Sequence, residues 1–514
     1  MTPSRFAKKA GAAVAVTAAG ALAVTGLAHA GPIGPEADVP GSRTGAAGPG
    51  TSGARGDRPV PPDGATTTRP NILMFTVDDM TVGDLPHMPK LNRLVVDRGV
   101  RLSQGTAPTP ICVPARASLL TGQYAHNHGA VTISGAGGGF EAFRDDDTLP
   151  VWLRRAGYET YFSGKYLNGY GMRDRRYVPP GWTGWRGSID LSTYGFRNTR
   201  YNVDGRVVTE PAHNSDVLNG YTTEVIGDRA RSRKPWFLWT NFVAPHHGGR
   251  HESDDPPGSL VKTTMPATRD RNTFRHLGLP RDPEMWTDGG SPWASKKAPR
   301  RFRAAVREAH QQRIESLQSV DDAVGAAVAK LRRSGQLRNT YIIFTSDNGY
   351  LVGHHNRVGK LVPFDRSVRI PMVVRGPGIP QGRTVATPTT NPDLAVTIAA
   401  IAGARPGRTV DGVDMLPYWR SRTGYDRVVP IAAYPLRGGR TASYSGIRYG
   451  AWTYVRTKRG KEVLFDRARD PGELRNRARQ PRYAATLRML RAMDRAYRDC
   501  AGSSCPGTET FVPR

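Results

Sequence analysis

A continuous apolar run of strand length, Asn71-Ile72-Leu73-Met74-Phe75-Thr76-Val77, ends at the acid pair Asp78-Asp79. Continuous apolar runs of this length are typical of strands in a parallel sheet that is covered on both faces. Adjacent carboxylates repel each other and need a cation or strong donors to stay ionised when partly buried. The stretch therefore predicts an α/β fold with a charged site beside its first strand, and a solvated turn or a helix cap is the alternative interpretation of the acid pair.

The same pattern recurs far downstream, where Thr340-Tyr341-Ile342-Ile343-Phe344-Thr345-Ser346 ends at Asp347-Asn348-Gly349. In open α/β sheets, ligands bind beyond the carboxyl ends of the strands. Two strands that both deliver carboxylate or amide oxygens there indicate a site for a hard cation. Ligation by oxygen alone favours Ca²⁺ or Mg²⁺ over zinc or copper.

Basic groups follow two other strand-like runs. Lys165 stands at the end of the β-rich run 157–164, and the apolar run 235–245 leads into His246-His247. Each observation is weak by itself, because a Lys after a strand is usually solvated and a His there usually has a local partner. Four strand ends that all carry polar groups nevertheless predict one site at one edge of the sheet.

A short helix is predicted after Cys112-Val113-Pro114-Ala115-Arg116. Pro114 fits the first turn, where its missing N–H costs nothing, and Gly122 fits the position that ends the helix. Cys112 is thereby placed at a helix N-terminus, which favours an anion, with Arg116 near the same end. A lone Cys is more often a small buried hydrophobe than a nucleophile, but this context favours the second interpretation.

Composition sets the size and the class of the protein. The chain has 514 residues with 38% apolar content, which is enough for one large domain and a smaller one. The formal net charge of +29 is compatible with acidic partners such as sulfated polysaccharides. The positive residues are mostly Arg and spread along the whole chain, so a codon bias explains them equally well. Nothing in the sequence matches a nucleic-acid-binding motif, and we expect no nucleic acid partner.

The N-terminus is typical of an exported protein. Residues 1–30 combine early positive charge, a small-residue apolar stretch and Ala28-His29-Ala30, which fits a signal-peptide cleavage site. A membrane anchor is the alternative, but no other run is long enough to span a bilayer, so we expect a secreted protein without stable membrane insertion. Residues 31–69 are predicted to be a disordered Gly/Pro/Ala-rich linker. In an exported chain, the neighbouring Cys500 and Cys505 are expected to pair as a disulfide.

Taken together, these motifs resemble the type I, formylglycine-dependent sulfatase family within the alkaline phosphatase-like fold. The family's two signatures are matched by the Cys112 stretch and by Gly157-Tyr158-x-Thr160-x-x-x-Gly164-Lys165. The resemblance implies a mainly parallel sheet flanked by helices with a small C-terminal α+β subdomain. It predicts a catalytic domain over 70–410, including a helical stretch over about 301–334, and an antiparallel-sheet subdomain with a tail over 411–514.

The resemblance also implies how the site works. Cys112 is expected to be converted by a formylglycine-generating enzyme to an aldehyde, whose hydrate attacks sulfur, expels the alcohol and then releases sulfate with its second hydroxyl. The implied ligands of Ca²⁺, with Mg²⁺ as the alternative, are Asp78, Asp79, Asp347, Asn348 and the modified residue 112. The implied cage for the sulfate group and the developing charge consists of Arg116, Lys165, His246 and Lys360. His246 is the expected proton donor to the leaving oxygen, and Asp347 is expected to help remove the proton of the nucleophile.

Departures from the general pattern narrow the resemblance. Many sulfatases have a His two residues after the signature Lys, and here that position is Leu167, as in the N-acetylglucosamine-6-sulfatase branch. His126 and His128 either replace that histidine or brace the loop after the helix. His247 is expected to lie just outside the groups that touch the substrate. The insertion 248–300 is expected to line the substrate entrance, as long loops in enzymes often do.

Three functions fit these residues. The first is a secreted sulfatase acting on sulfate monoesters of sugars such as N-acetylglucosamine 6-sulfate, or on aryl sulfates. The second is a phosphate or phosphonate ester hydrolase, because the basic cage would recognise a tetrahedral oxyanion rather than sulfur itself. The third is a binder of sulfated glycans without turnover, in which Cys112 stays unmodified.

Overall fold

The computed structural model of the protein describes residues 69–295, 297–436, 438–505 and 512–513, so the predicted signal segment and nearly all of the predicted linker lie outside it. Its strands are β1 Asn71–Val77, β2 Val100–Leu102, β3 Gly105–Thr106, β4 Glu159–Lys165, β5 Gly184–Ser188, β6 Thr199–Val203, β7 Arg206–Glu210, β8 Trp236–Asn241, β9 Thr340–Ser346, β10 Leu351–Val352, β11 Val358–Gly359, β12 Met372–Arg375, β13 Arg383–Val385, β14 Thr389–Thr390, β15 Tyr425–Asp426, β16 Val429–Ala433, β17 Tyr444–Tyr449, β18 Trp452–Thr457, β19 Glu462–Asp466 and β20 Val512–Pro513. Its α-helices are α1 Pro89–Leu91, α2 Cys112–Thr121, α3 Ala125–His128, α4 Leu149–Arg155, α5 Asn214–Asp228, α6 Arg300–Arg333, α7 Asp365–Val368, α8 Asn391–Ala402, α9 Leu416–Arg420 and α10 Ala484–Tyr497.

Ten strands form the main sheet, in the order β13-β2-β12-β9-β1-β8-β4-β5-β6-β7. The central strands β9, β1, β8, β4 and β5 are parallel to one another, whereas β12, β6 and β7 pair antiparallel. All seven residues of β1 pair with β9, from Asn71 opposite Thr340 to Val77 opposite Ser346. The acids that follow the two strands therefore leave the sheet side by side.

Helices cover both faces of this sheet, which explains why β1, β8 and β9 are apolar without alternation. On one face, the sheet packs against α2, α4 and α8 through side chains such as Val113, Trp152 and Leu394. On the other face, α5 and the 34-residue α6 contribute side chains such as Leu218, Ile314 and Leu317. This two-sided architecture confirms the predicted α/β class and the long helix before β9.

A second sheet, β16-β17-β18-β19, is antiparallel throughout and packs against α10 near the C-terminus. It is the small α+β subdomain that the resemblance implied. Cys500 and Cys505 form a disulfide just after α10. The predicted boundary at residue 410 falls between α8 and α9. Within the described residues, no helix is both long and apolar enough to cross a bilayer.

Candidate active site

The parallel order of the central strands brings the predicted groups to one edge of the sheet. Asp78 and Asp347 follow the neighbouring strands β1 and β9, and Lys165 is the last residue of β4. Gly164 makes the approach of β4 to β8 possible, because it has φ +98° and a Cβ there would lie 1.9 Å from the carbonyl oxygen of Asn241. The strand ends therefore meet as the sequence predicts.

Three buried carboxylates form the base of the site. Oxygens of Asp78, Asp79 and Asp347 all lie within 4.8 Å of one another, and the three residues are at most 1% exposed. Asp79 has φ +72°, a conformation that non-glycine residues rarely adopt and that clusters at functional sites. Its backbone is fixed there by an N–H that donates to Asp347 Oδ1 at 3.3 Å and a carbonyl that accepts from Arg313 at 2.5 Å.

Three cations offset these carboxylates. The Lys165 ammonium pairs with Asp78, and the Lys360 ammonium pairs with Asp79. Arg116 Nε donates to Asp347 Oδ2 at 2.9 Å, and its Nη1 donates to the carbonyl of Lys165 and to Asn241 Oδ1. Only Nη2 of Arg116 makes no hydrogen bond among the described residues, although it lies 3.7 Å from Asp78. The three negative charges thus face three positive ones.

The pKa shifts follow from this pairing. Burial opposes ionisation of Asp78, but Lys165 and the other nearby cations outweigh it and hold its pKa well below the usual value. Burial and repulsion from Asp78 raise the pKa of Asp347. The pKa values of Lys165 and Lys360 lie well above the usual value despite burial, because Asp78 and Asp79 stabilise their charged forms. The two lysines are therefore cations at neutral pH.

Cys112 lies at the N-terminus of α2, as predicted, and Gly122 ends the helix with φ +66°. Its Sγ is 3.4 Å from Asp78 Oδ1 and 2.9 Å from Lys360 Nζ. Burial, followed by repulsion from Asp78, raises the pKa of its thiol to about 12, so the side chain is a neutral thiol. Residue 112 thus stands between the carboxylates and a lysine, in the position from which it would face a substrate held at this edge.

His246 lies beside the carboxylates, with Nε2 3.8 Å from Asp79 Oδ2. Its Nδ1 is 2.7 Å from the carbonyl oxygen of His247, which only accepts, so Nδ1 carries a proton. In the neutral ring, Nε2 is therefore an acceptor, and it becomes a donor only in the protonated ring. Burial lowers the pKa of His246 to about 3 and that of His247 likewise, and the two rings stack at 4.1 Å.

The donor set fits a hard divalent cation. Asp79 Oδ2 is buried and makes no hydrogen bond among the described residues, which leaves one carboxylate oxygen of the cluster without a donor. Asn348 is fully buried beside it: its Nδ2 donates to Asp79 Oδ1 at 2.6 Å, and its Oδ1 accepts from Lys360 Nζ at 3.3 Å. Three carboxylates and an amide are the hard oxygen donors that Ca²⁺ and Mg²⁺ prefer.

Two predicted histidines lie elsewhere. His126 Nε2 is 2.8 Å from the carbonyl oxygen of Cys500, and His128 Nε2 is 3.2 Å from Ser118 Oγ. Both contacts join α3 to neighbouring segments, as the bracing alternative implied. Among the described residues, no contact connects either ring with the carboxylate–lysine cluster.

Sequence reasoning missed two supporting residues. Arg313 lies in the middle of α6, is 5% exposed and donates to the carbonyls of Asp79 and Pro245. Asn241 ends β8 and accepts from Arg116. An arginine on the apolar face of a long helix is the signal that would have indicated Arg313, whereas no feature of the sequence distinguishes Asn241 from an ordinary strand end.

The segment that carries Lys360 is held from two sides. On one side, the insertion contributes Asp282 and Glu284. Asp282 pairs with His354 at 3.0 Å and with Arg366 at 2.8 Å, and Glu284 pairs with Arg366 at 2.9 Å. In its described part, the insertion holds no helix or strand before α6, and Met285 bridges to His354 in antiparallel register. The end of the insertion is therefore bound to the segment 351–369.

The C-terminal part of the chain holds the other side of this segment. Glu473 accepts from the backbone N–H of Asp365 at 2.6 Å, and Arg448 pairs with the Asp365 carboxylate. A Cβ on Gly472 would lie 2.9 Å from Glu284 Oε2, so the insertion and the C-terminal turn also touch each other. We call the group Asp282, Glu284, Asp365, Arg366, Arg448 and Glu473 the loop anchor.

A mainly parallel sheet with helices on both faces, and with buried carboxylates, cations and a candidate nucleophile at its carboxyl edge, has the architecture of the alkaline phosphatase-like class of fold. The family model described as Sulfatase matches residues 70–404, and the chain belongs to the sulfatase family.

Known relatives agree with this assignment. The chain is 33% identical over 377 residues to an "Extracellular sulfatase SULF-1 homolog" of Drosophila melanogaster, covering 70% of this chain and 32% of that protein. It is 30% identical over 380 residues to the "N-acetylglucosamine-6-sulfatase" of Homo sapiens, covering 69% and 65%. The chain thus spans about a third of the fly protein and somewhat under two thirds of the human one. A solved structure of BT4656 in complex with its substrate D-glucosamine-2-N,6-O-disulfate shares the fold, with a TM-score of 0.70, 19% identity, and coverage of 83% of this chain and 97% of that one.

Proposed function

We propose that the protein is a secreted sulfatase that hydrolyses sulfate monoesters of sugars, with residue 112 as its nucleophilic centre. The observation that carries the proposal is the position of Cys112. It begins a helix, touches Asp78 and Lys360, and lies beside buried oxygens that suit a divalent cation. Family membership and the sugar sulfatases among its relatives support the reaction and the substrate class.

Two groups would complete the site. Asp78, Asp79, Asp347 and Asn348 would hold Ca²⁺, or Mg²⁺, which lowers the pKa of a bound hydroxyl and polarises a sulfate oxygen. A formylglycine-generating enzyme, with O₂ as the oxidant, would convert the Cys112 side chain to an aldehyde with loss of its sulfur. The hydrate of that aldehyde would supply the attacking hydroxyl and a second one for release of sulfate. A thiol or an ordinary hydroxyl lacks that second group and would remain esterified.

The charges of the chain itself explain why an anion would bind. The carboxylates are already matched by Lys165, Lys360 and Arg116, so a divalent cation gives the site a positive excess. A sulfate monoester carries one negative charge and would be attracted into it. Lys165 and Lys360 are the two flexible cations, whereas Arg116 is committed to Asp347 and offers only Nη2. We assign the lysines to the sulfate oxygens and to the charge that develops on them.

Proton transfer falls to two groups beside residue 112. Asp347 would help to remove the proton of the attacking hydroxyl, because burial and repulsion from Asp78 raise its pKa and so make it a stronger base. His246 would protonate the leaving oxygen from Nε2, because Nδ1 is occupied by the carbonyl of His247. Because burial lowers the pKa of the free ring to about 3, the ring would gain this proton only in the course of the reaction, and the nearby Asp78 carboxylate favours the protonated form. His247 keeps the ring in place by stacking.

The substrate proposal is a sulfated sugar such as N-acetylglucosamine 6-sulfate, with aryl sulfates as alternative substrates. The name of the human relative supports the first, and the extracellular fly relative together with the predicted signal segment supports secretion. Among the described residues, no helix is long and apolar enough to cross a membrane.

The test combines mass spectrometry with turnover. The protein is secreted from a host that contains a formylglycine-generating enzyme, and the tryptic peptide 102–116 is analysed for an aldehyde or a thiol at residue 112. Turnover of N-acetylglucosamine 6-sulfate, an aryl sulfate and the matching aryl phosphate is then measured with Ca²⁺ present. An aldehyde together with preferred sulfate turnover supports the proposal. A thiol throughout the pool would support the glycan binder instead, and faster phosphate turnover would support the phosphoesterase.

A further inference from the structure

Tyr194 is an aromatic residue of the site that the sequence motifs do not include. It lies on a short 3-10 helix, Ser192–Gly195, between β5 and β6. Its ring centroid is 5.0 Å from the Lys165 ammonium and 4.9 Å from the His246 ring. One half-buried side chain therefore contacts both the cation that pairs with Asp78 and the imidazole beside Asp79.

The position of Tyr194 is fixed by several contacts. Its phenol oxygen accepts a hydrogen bond from Asn168 Nδ2 at 2.8 Å, three residues after Lys165. Its carbonyl accepts from the N–H of Gly249 at 2.7 Å, three residues after His246. The ring is thus tied to the same two segments whose functional side chains it touches.

The backbone around Tyr194 is strained. Leu191 has φ +69° and Phe196 has φ +58°, so two non-glycine residues that flank the short helix occupy the left-handed region. Such conformations persist only where the surroundings enforce them, and they cluster at functional sites. An ordinary turn would be built with glycine or asparagine at these positions.

We propose that Tyr194 is a positioning residue that holds Lys165 and His246 in the arrangement required for departure of the alcohol. This inference rests on the proposed sulfatase function. An aromatic face attracts an ammonium, so the ring limits where Lys165 can turn when it leaves Asp78 for a sulfate oxygen. The same ring, together with His247, restricts rotation of His246, which directs Nε2 toward the leaving oxygen.

Two substitutions separate the ring from the phenol oxygen. Tyr194→Phe keeps the face and loses the bond to Asn168, whereas Tyr194→Leu loses both. The matched control is Tyr221→Leu, because Tyr221 is also half-buried, lies 4.4 Å from an arginine and bonds a side chain through its phenol oxygen, but contacts Arg186 and Glu210 rather than the site. Thermal unfolding of all three variants verifies that they fold.

The decisive measurement is the dependence on the leaving group. Departure of a sugar alcohol needs protonation, whereas departure of 4-nitrophenolate does not. We expect Tyr194→Leu to lower kcat about tenfold more for the sugar sulfate than for 4-nitrophenyl sulfate, with Tyr194→Phe close to the wild type and Tyr221→Leu affecting both substrates equally. An equal loss on both substrates in Tyr194→Leu, or the same selective loss in Tyr221→Leu, would overturn the inference.

A second measurement does not depend on turnover. With ¹⁵N-labelled histidine, the ring nitrogens of His246 are assigned by comparison with His246→Gln. We expect Tyr194→Leu, but not Tyr221→Leu, to shift these resonances. Without its aromatic neighbour, the imidazole of His246 is no longer restricted to the orientation in which Nδ1 bonds the carbonyl of His247. Unchanged resonances overturn the inference even if the wild type proves inactive, whereas inactivity of the wild type on every sulfate ester tells against the proposed function alone.

Discussion

Replacing Arg366 by Met should destabilise the protein by removing one cation from the loop anchor. Arg366 pairs with Glu284, whose side chain is 4% exposed, and with Asp282, whose side chain is 30% exposed. Breaking a buried pair costs about 3–5 kcal/mol, because the remaining charge stays buried without a partner. Since the side chain of Arg366 is 21% exposed, the low end of this range applies to the loss of its pair with Glu284. The loss of the more exposed pair with Asp282 adds at most about 1 kcal/mol. We therefore expect a loss of about 3–4 kcal/mol in the free energy of unfolding.

The assay is equilibrium unfolding in urea, followed by fluorescence of the nine tryptophans. A second variant, Arg366→Met with Glu284→Gln, removes the stranded charge and should recover about 2 kcal/mol, which measures the coupling of the pair. The matched control is Arg173→Met, because the side chain of Arg173 is 87% exposed and its contact with Glu141 is 4.0 Å long. That control should change stability by less than about 0.5 kcal/mol.

The same substitution should also reduce turnover, because the anchor holds the segment that carries Lys360. A misplacement of about 1 Å can cost up to a hundredfold in rate, so we expect kcat/KM to fall between about tenfold and a hundredfold. The reasoning is refuted if Arg366→Met costs less than about 1 kcal/mol, or if the double variant recovers nothing. Full activity in a destabilised variant would refute only the connection to Lys360.

Three further predictions concern the site and its surroundings. Cys112→Ala should unfold at nearly the wild-type temperature but show no turnover in the sulfatase assay, and retained activity would contradict the assignment of the nucleophile. Chelation should lower the melting temperature, and Ca²⁺ should restore it. At a hundredfold excess of Ca²⁺ over its Kd, the gain in the free energy of unfolding should be about 2.7 kcal/mol, whereas the stability of Asp347→Asn should not change with Ca²⁺. Burial, then repulsion from Asp365, raises the pKa of Glu473 to about 7 from its usual 4.5, so its contribution to stability is complete below about pH 4.5 and is lost as pH rises through 7. Glu473→Gln should flatten that part of the pH profile in urea unfolding, and an unchanged slope would show that another group titrates there.

The sequence predicts the strand ends well, because a fully buried strand is apolar along its whole length and its polar end stands out. Asp78 and Asp347 could be predicted from the sequence in this way, and the parallel pairing of β1 with β9 brings them together. Tyr194 and Arg313 could not be predicted in this way. Tyr194 reaches the site from a short 3-10 helix between β5 and β6, and Arg313 reaches it from the middle of α6, so neither residue follows a strand end.

The role of Arg116 shows a further limit. Its place near a helix N-terminus suggested a direct grip on sulfate, but the sequence cannot tell which neighbour uses each nitrogen of a guanidinium. In the structure, Nε and Nη1 go to Asp347, Asn241 and the carbonyl of Lys165. A buried arginine with two carboxylates in reach satisfies them first, because an unpaired buried carboxylate costs more than an unmade contact to a ligand.

The loop anchor gives the insertion and the C-terminal turn a common purpose. The sheet edge supplies carboxylates and Lys165 from strands that the core holds rigidly, whereas Lys360 lies in the segment 351–369, whose regular structure is limited to the short strands β10 and β11 and the one-turn helix α7. A lysine in such a segment can meet Cys112 at 2.9 Å only if something outside the sheet fixes it. Glu284 and Arg366 do so from one side, and Glu473 does so from the other. The expectation that the insertion lines the substrate entrance stays a prediction, whereas the pairs of Asp282 and Glu284 with Arg366 already connect part of the insertion to the segment that carries Lys360.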